Sequence, residues 1–123
     1  MNLLLLDESK LQQLLELDEG KTALLQEMTT LFKAETPRRM KAIREGIEAG
    51  RSSAVMEAAH ALKGASGLMG AQLVFALARE LEIKAKTGDL PPGEISMEAW
   101  SRLGEAVLDA QDAIDIFLSK ATP

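Results

Sequence analysis

The chain has no cysteine, no tyrosine, one tryptophan and one histidine in 123 residues. Without cysteine there is no disulfide and no thiolate metal site, and a lone imidazole lacks the second His or Cys that a zinc-type site needs. No metal site is expected. Aromatics are only 3% against 46% hydrophobic residues overall, so the core must be built from Leu, Ala and Met, which suits packed helices better than sheets. Long apolar runs are missing too. Leu3 to Leu6 is far too short to span a membrane and has no basic leader, so it is neither anchor nor signal peptide. No membrane partner is expected, and a cytoplasmic setting is. Positive charge is scarce: the formal net charge is −5, a poor balance for nucleic acid. The one basic cluster, Lys33, Arg38, Arg39, Lys41 and Arg44, is interspersed with Glu35, Glu45 and Glu48. It reads as a solvated helix face, some of whose members can meet an acidic protein surface. Finally, neither G-x-x-x-x-G-K-[ST] nor G-x-G-x-x-G occurs, so no nucleotide site and no cofactor of the chain's own are expected.

What is present is helical periodicity. Asp7 or Ser9 can cap a short helix over about residues 8–17, with Leu11, Leu14 and Leu15 on one side; residues 1–6 read as extended or partly helical. From about Lys21 to Ala49 apolar residues recur three and four apart: Leu24, Leu25, Met28, Leu31, Phe32, Met40, Ile43, Ile47. Thr36-Pro37 interrupts this stretch without shifting its phase, giving one long helix kinked near Pro37 or two collinear ones. Gly50 ends it. Ser52 or Ser53 caps the next helix, which runs to about Met69 and is closed by Gly70. Ala71 to about Lys86 follows, with Val74, Leu77, Ala78, Leu81 and Ala85 inward. After the breakers Gly88, Pro91, Pro92 and Gly93, a last helix runs from about Ile95 to Ser119 with Trp100, Leu103, Val107, Ala110, Ile114 and Phe117 as its seam. The pattern predicts a single all-α domain over residues 1–123: an antiparallel up-down four-helix bundle with a short N-terminal capping helix.

The chemistry concentrates in AAHALKGASGLMGAQLVFALAREL, residues 58–81. On a helical wheel Val55, Ala59, Leu62, Ser66 and Met69 fall within about 40° of one line, the buried stripe. His60 points roughly 140° away, Gly67 about 120° and Gly64 about 180°. Lys63 and Gly64 lie one turn from His60, so the ring has a cation and a bare stretch of backbone beside it. Each interior glycine costs the helix about 1 kcal/mol relative to alanine, which points to close approach of a partner. A lone helical histidine is more often a surface residue with no role. The Lys63-Gly64 pair and the exposed glycines weigh against that reading. A neutral imidazole, with a reference pKa of about 6.5, is a competent nucleophile towards phosphorus, and Lys63 can set a cation against phosphoryl oxygens. Met56, one turn before His60, reads as an exposed apolar anchor for a docking protein; Phe32, Gly67 and Leu68 are further candidates, with core burial the competing reading for Phe32, Leu68 and Met69 and the preferred one for Met69. Ser66 reads as a packing residue with its hydroxyl bonded to backbone, and Gly70 as a turn residue.

The run H-A-L-K-G-A-S-G-L-M-G-A, followed by Leu77, Leu81 and Glu82, closely resembles the signature of histidine-containing phosphotransfer (HPt) domains. The resemblance covers about Leu24 to Ala85; the first and last helices match by architecture only. It implies an antiparallel four-helix bundle and favours a continuous helix through Thr36-Pro37. It implies that His60 carries a phosphoryl group on its distal nitrogen, Nε2, in a multistep phosphorelay, with Lys63 relieving charge and Gly64 giving access. Glu82 occupies the family's Leu-Glu position, where a structural role is expected. The implied partners are response-regulator receiver domains, which bring their own Mg²⁺, and a hybrid sensor histidine kinase. The chain would be a phosphocarrier without independent turnover, free-standing or a domain of a larger kinase, and a monomer. The alternative from another class is a helical-bundle adaptor or inhibitor that is never phosphorylated. An enzyme using His60 as a general base is weaker still, because no second polar group stands out in the sequence.

Overall fold

The computed structural model describes residues 5–122. The reading of residues 1–4 as extended or partly helical lies outside the described residues; Leu5 and Leu6 are non-helical and pack, half-buried, against the core. Five helices make up the described residues: α1 Glu8–Leu17, α2 Ala23–Glu48, α3 Ser52–Leu68, α4 Gln72–Lys86 and α5 Gly93–Ala121. Helix α2 packs on α3 and α5, and α4 packs on α3 and α5, which closes a ring of four. Short connections make sequence neighbours antiparallel. Fully buried Leu25, Ile43, Val55, Leu62, Val74, Leu103 and Ile114 fill the centre. Each such side chain contributes about 1.5–3 kcal/mol.

Helix α2 runs unbroken through Pro37. The ring of Pro37 lies on the exposed side, while its neighbour Thr36 is fully buried and accepts a hydrogen bond at 2.9 Å from Nε2 of Gln111 on α5. A continuous apolar phase on one face therefore outweighs the loss of one backbone bond. Trp100 ties α5 to α2 as well, donating from Nε1 to the Met40 carbonyl at 2.7 Å.

Two helix ends decide the geometry near the site. At the end of α3, Gly70 takes φ +71°, Ala71 N–H reaches back to the Ser66 carbonyl (2.9 Å), and Gly70 N–H reaches Gly67 (3.3 Å). This is a Schellman turn, which needs the left-handed conformation that glycine adopts without cost. It reverses the chain into α4. The Gly70 carbonyl also accepts from Asp7 N–H at 2.7 Å, and a methyl group on Gly70 would run into the Asp7 carbonyl. So α1 is seated over the α3–α4 turn, with Leu11, Leu14 and Leu15 buried beneath it. Asp7 caps α1: its carboxylate accepts from Ser9 N–H (3.1 Å) and from the Ser9 hydroxyl (2.6 Å). Chiefly through that hydroxyl, the carboxyl is held below its ordinary range. At the start of α3 the expectation of a serine cap is corrected. Ser52 is already the first helical residue, and Arg51 holds the cap position without a side-chain bond. The Schellman turn at Gly50 fixes Arg51 through its N–H to the Gly46 carbonyl (2.8 Å), and this leaves no residue for a serine cap.

Candidate phosphoryl-acceptor site

Helix α3 presents two faces. Val55, Ala59, Leu62 and Ser66 are fully buried, and the Ser66 hydroxyl bonds back to the Leu62 carbonyl at 2.6 Å. His60 stands on the other side with its side chain 68% exposed. Gly64 is exposed, and a methyl group placed on it would meet open space. Its missing side chain is therefore not needed for helix packing.

Antiparallel pairing brings Glu82 of α4 against both His60 and Lys63. One carboxylate oxygen, Oε2, lies 2.5 Å from His60 Nδ1; the other, Oε1, lies 2.7 Å from Lys63 Nζ. Glu82 is held below the ordinary carboxylate range, first by the Lys63 hydrogen bond and then by His60. An ionised carboxylate only accepts, so the proton between Glu82 and the ring sits on Nδ1. The lone pair is then on Nε2, at the edge turned away from Glu82. In the neutral ring, Nε2 is therefore the nitrogen left without a partner. The structural role expected for Glu82 takes a specific form: its carboxylate ties the exposed ring and Lys63 to α4.

Lys63 points at Glu82 and is only 24% exposed in its side chain, so its charge is partly spent there. A shallow depression of about 620 Å³ opens on the ring, lined by Arg39, Met56, Glu57, His60, Glu82 and Lys86. Met56 is half-buried on its wall, and Leu68, 51% exposed, lies about two turns beyond His60 along α3. Two docking candidates are corrected. Phe32 is only 3% exposed; its i, i+4 register with Met28, Thr36 and Met40 turns it into the core. Gly67 is half-buried, and a methyl group there would sit 3.3 Å from the Phe75 ring, so this glycine makes room for an α4 aromatic rather than for a visiting protein. Sequence reasoning missed Arg39 and Lys86 as neighbours of the ring, because helices α2 and α4 reach it only after folding; Glu57, three residues before His60 on α3 itself, was legible from the spacing and was overlooked. Glu82 did have a signal, the Leu81-Glu82 pair, but spacing along one chain does not say which residue a carboxylate will face.

Comparison with known proteins places the fold. The family model for the Hpt domain matches residues 27–114, and the chain belongs to that family. Among solved structures it is similar to the histidine-containing phosphotransfer protein B (HptB) of Pseudomonas aeruginosa PAO1, with TM-score 0.81 and 22% identity over 97% of this chain and 98% of that one. At that identity the likeness speaks for the fold. No curated protein matches the sequence.

Proposed function

We propose that this protein relays a phosphoryl group between receiver-domain aspartates and Nε2 of His60. The observation that carries the reading is Glu82 bridging His60 Nδ1 and Lys63 Nζ beside an exposed ring. In the forward step the Nε2 lone pair attacks phosphorus of an aspartyl phosphate. The N–P bond forms, the P–O bond to the aspartate breaks, and the carboxylate leaves with its electron pair. No proton needs to move. Nδ1 keeps its hydrogen, so the phosphorylated ring is cationic, and the anionic Glu82 offsets that charge through a charge-assisted hydrogen bond. The same protonated ring is a good leaving group for the return step, as a two-way carrier requires. Lys63 keeps Glu82 ionised and aimed. Gly64 leaves the approach clear for a receiver, which supplies the Mg²⁺ and carboxylates for in-line transfer. Receiver domains and a hybrid sensor kinase are the partners this reading assigns, in the cytoplasm. An adaptor that is never phosphorylated would have no use for an exposed imidazole of fixed tautomer.

Incubation with a phosphorylated receiver and Mg²⁺ should place acid-labile, base-stable phosphate on the wild type and none on His60→Gln. Equal labelling of the two would remove His60 from the mechanism. Lys63→Ala should keep the fold and accept phosphate more slowly; unchanged kinetics would reject its assigned part.

A further inference from the structure

A phosphoryl group on Nε2 would bring up to two negative charges into a neighbourhood whose first cation is already engaged. Lys63 is paired with Glu82 at 2.7 Å, and Glu57 adds a second carboxylate to the wall of the depression. Lys63, Glu82, Glu57 and the cationic phosphorylated ring together sum to zero, which leaves a dianion without net compensation. Two further cations line the same depression: Arg39 from α2 and Lys86 at the end of α4. Neither is committed. Arg39 has only a loose contact with Glu35, 3.7 Å away on its own helix, with 42% of its side chain exposed. Lys86 makes no ion pair among the described residues. By contrast its neighbour Lys84 is paired with Glu80 at 3.0 Å and lies on the other flank of α4, against Pro91 and Ile95.

We infer that Arg39 and Lys86, converging on His60 from α2 and α4, form an anion site that takes the oxygens of the phosphoryl group carried on Nε2. The inference rests on the carrier reading above and deepens it. Adding these two charges raises the local sum from zero to +2, which matches the dianion. Arg39 offers a planar fork suited to two phosphoryl oxygens at once, and Lys86 a mobile point charge. Lys63 then serves Glu82, and holding the phosphoryl group falls to residues on the flanking helices.

The test uses the protein alone, loaded with phosphoramidate. In that reaction the P–N bond to ammonia breaks, the bond to Nε2 forms, and ammonia leaves. Phosphorus NMR follows the second ionisation of the bound phosphoryl group with pH. Arg39→Ala and Lys86→Ala should each raise its midpoint by a few tenths of a pH unit, and Lys84→Ala should leave it in place. The equilibrium constant for phosphoryl exchange with a receiver should fall about two- to fivefold for each cation lost. Docking alone cannot move that constant, because both proteins are free on each side of the exchange. Unmoved titrations and an unmoved constant would overturn the inference. So would slower transfer at an unchanged constant, which would give these cations to the receiver's surface instead. If the wild type takes no phosphate from either donor, the carrier reading itself has failed. Arg39 and Lys86 both lie at the surface, so thermal melting should show the variants folded.

Discussion

Two regions of this molecule carry paired charges, and they are built differently. Along the outer face of α2, Glu35 meets Arg38 and Arg39 at 3.9 and 3.7 Å, Lys41 meets Glu45 at 3.7 Å, and Arg44 meets Glu48 at 3.5 Å. Every pair is three or four residues apart on one helix and open to water. On the α3–α4 seam, Glu82 holds His60 at 2.5 Å and Lys63 at 2.7 Å, across two helices and with its own side chain only 15% exposed. The first set is what any helix with alternating charges makes, and water screens it. The second needs two backbones held in register, and its sheltered carboxylate interacts more strongly. A charge cluster's size along the sequence is thus no guide to its importance here. Arg39 apart, the larger cluster is solvation, and the smaller one orients the exposed ring.

The sharpest way to break this comparison is to remove the carboxylate on each side. Glu82→Ala should slow phosphate uptake from a receiver on the order of tenfold, the typical yield of losing one orienting charged hydrogen bond. Glu45→Ala should leave uptake unchanged in the same stopped assay. Next in size is Gly64→Leu. With open space above the glycine, the fold should hold or gain about 0.5–1 kcal/mol from better helix propensity, seen in urea unfolding. Transfer from a receiver should still fall severalfold, while loading by the small donor phosphoramidate stays as in the wild type. Equal loss with both donors would mean that the leucine disturbs His60 itself rather than the approach to it.

A third contrast is in pH. Because the folded-state pKa of Glu82 is lowered, its ionised form stabilises the fold above the unfolded carboxylate value of about 4.3, and that stability is lost as pH falls through the folded value. Melting curves of wild type and Glu82→Gln should therefore differ by about 1 kcal/mol at neutral pH and converge in acid. A gap that stays constant down to acid would show that the Lys63 and His60 contacts contribute nothing. Smallest of all, Lys41→Ala or Glu48→Ala should shift stability by less than about 0.5 kcal/mol at any pH, and less again in high salt.

Much of the architecture could be read before folding. The three-and-four spacing of leucines, the glycines after α2 and α3, and the phase carried through Pro37 place the helices within two or three residues of where they lie. The exposed side of His60 followed from the wheel, because an apolar stripe on one face leaves the opposite face to water. Phe32 shows where such reasoning stops. It lies on the same stripe as Met28 and Met40, and docking and core burial stayed open for it until the neighbouring helices were in place around it. Gly67 shows the same from the other side: it looked bare on its own helix and is covered by Phe75 from the next.

By itself, then, the sequence determined a leucine-rich bundle with one imidazole held off its core, since the period of a helix and the alternation of apolar and polar residues are local properties of the chain. Tertiary structure alone decided what that imidazole touches. Glu82 is 22 residues away in the chain and 2.5 Å away in space, and only the reversal at Gly70 and the packing of α4 on α3 close that gap. Proton position and charge balance at the ring both depend on contacts between helices.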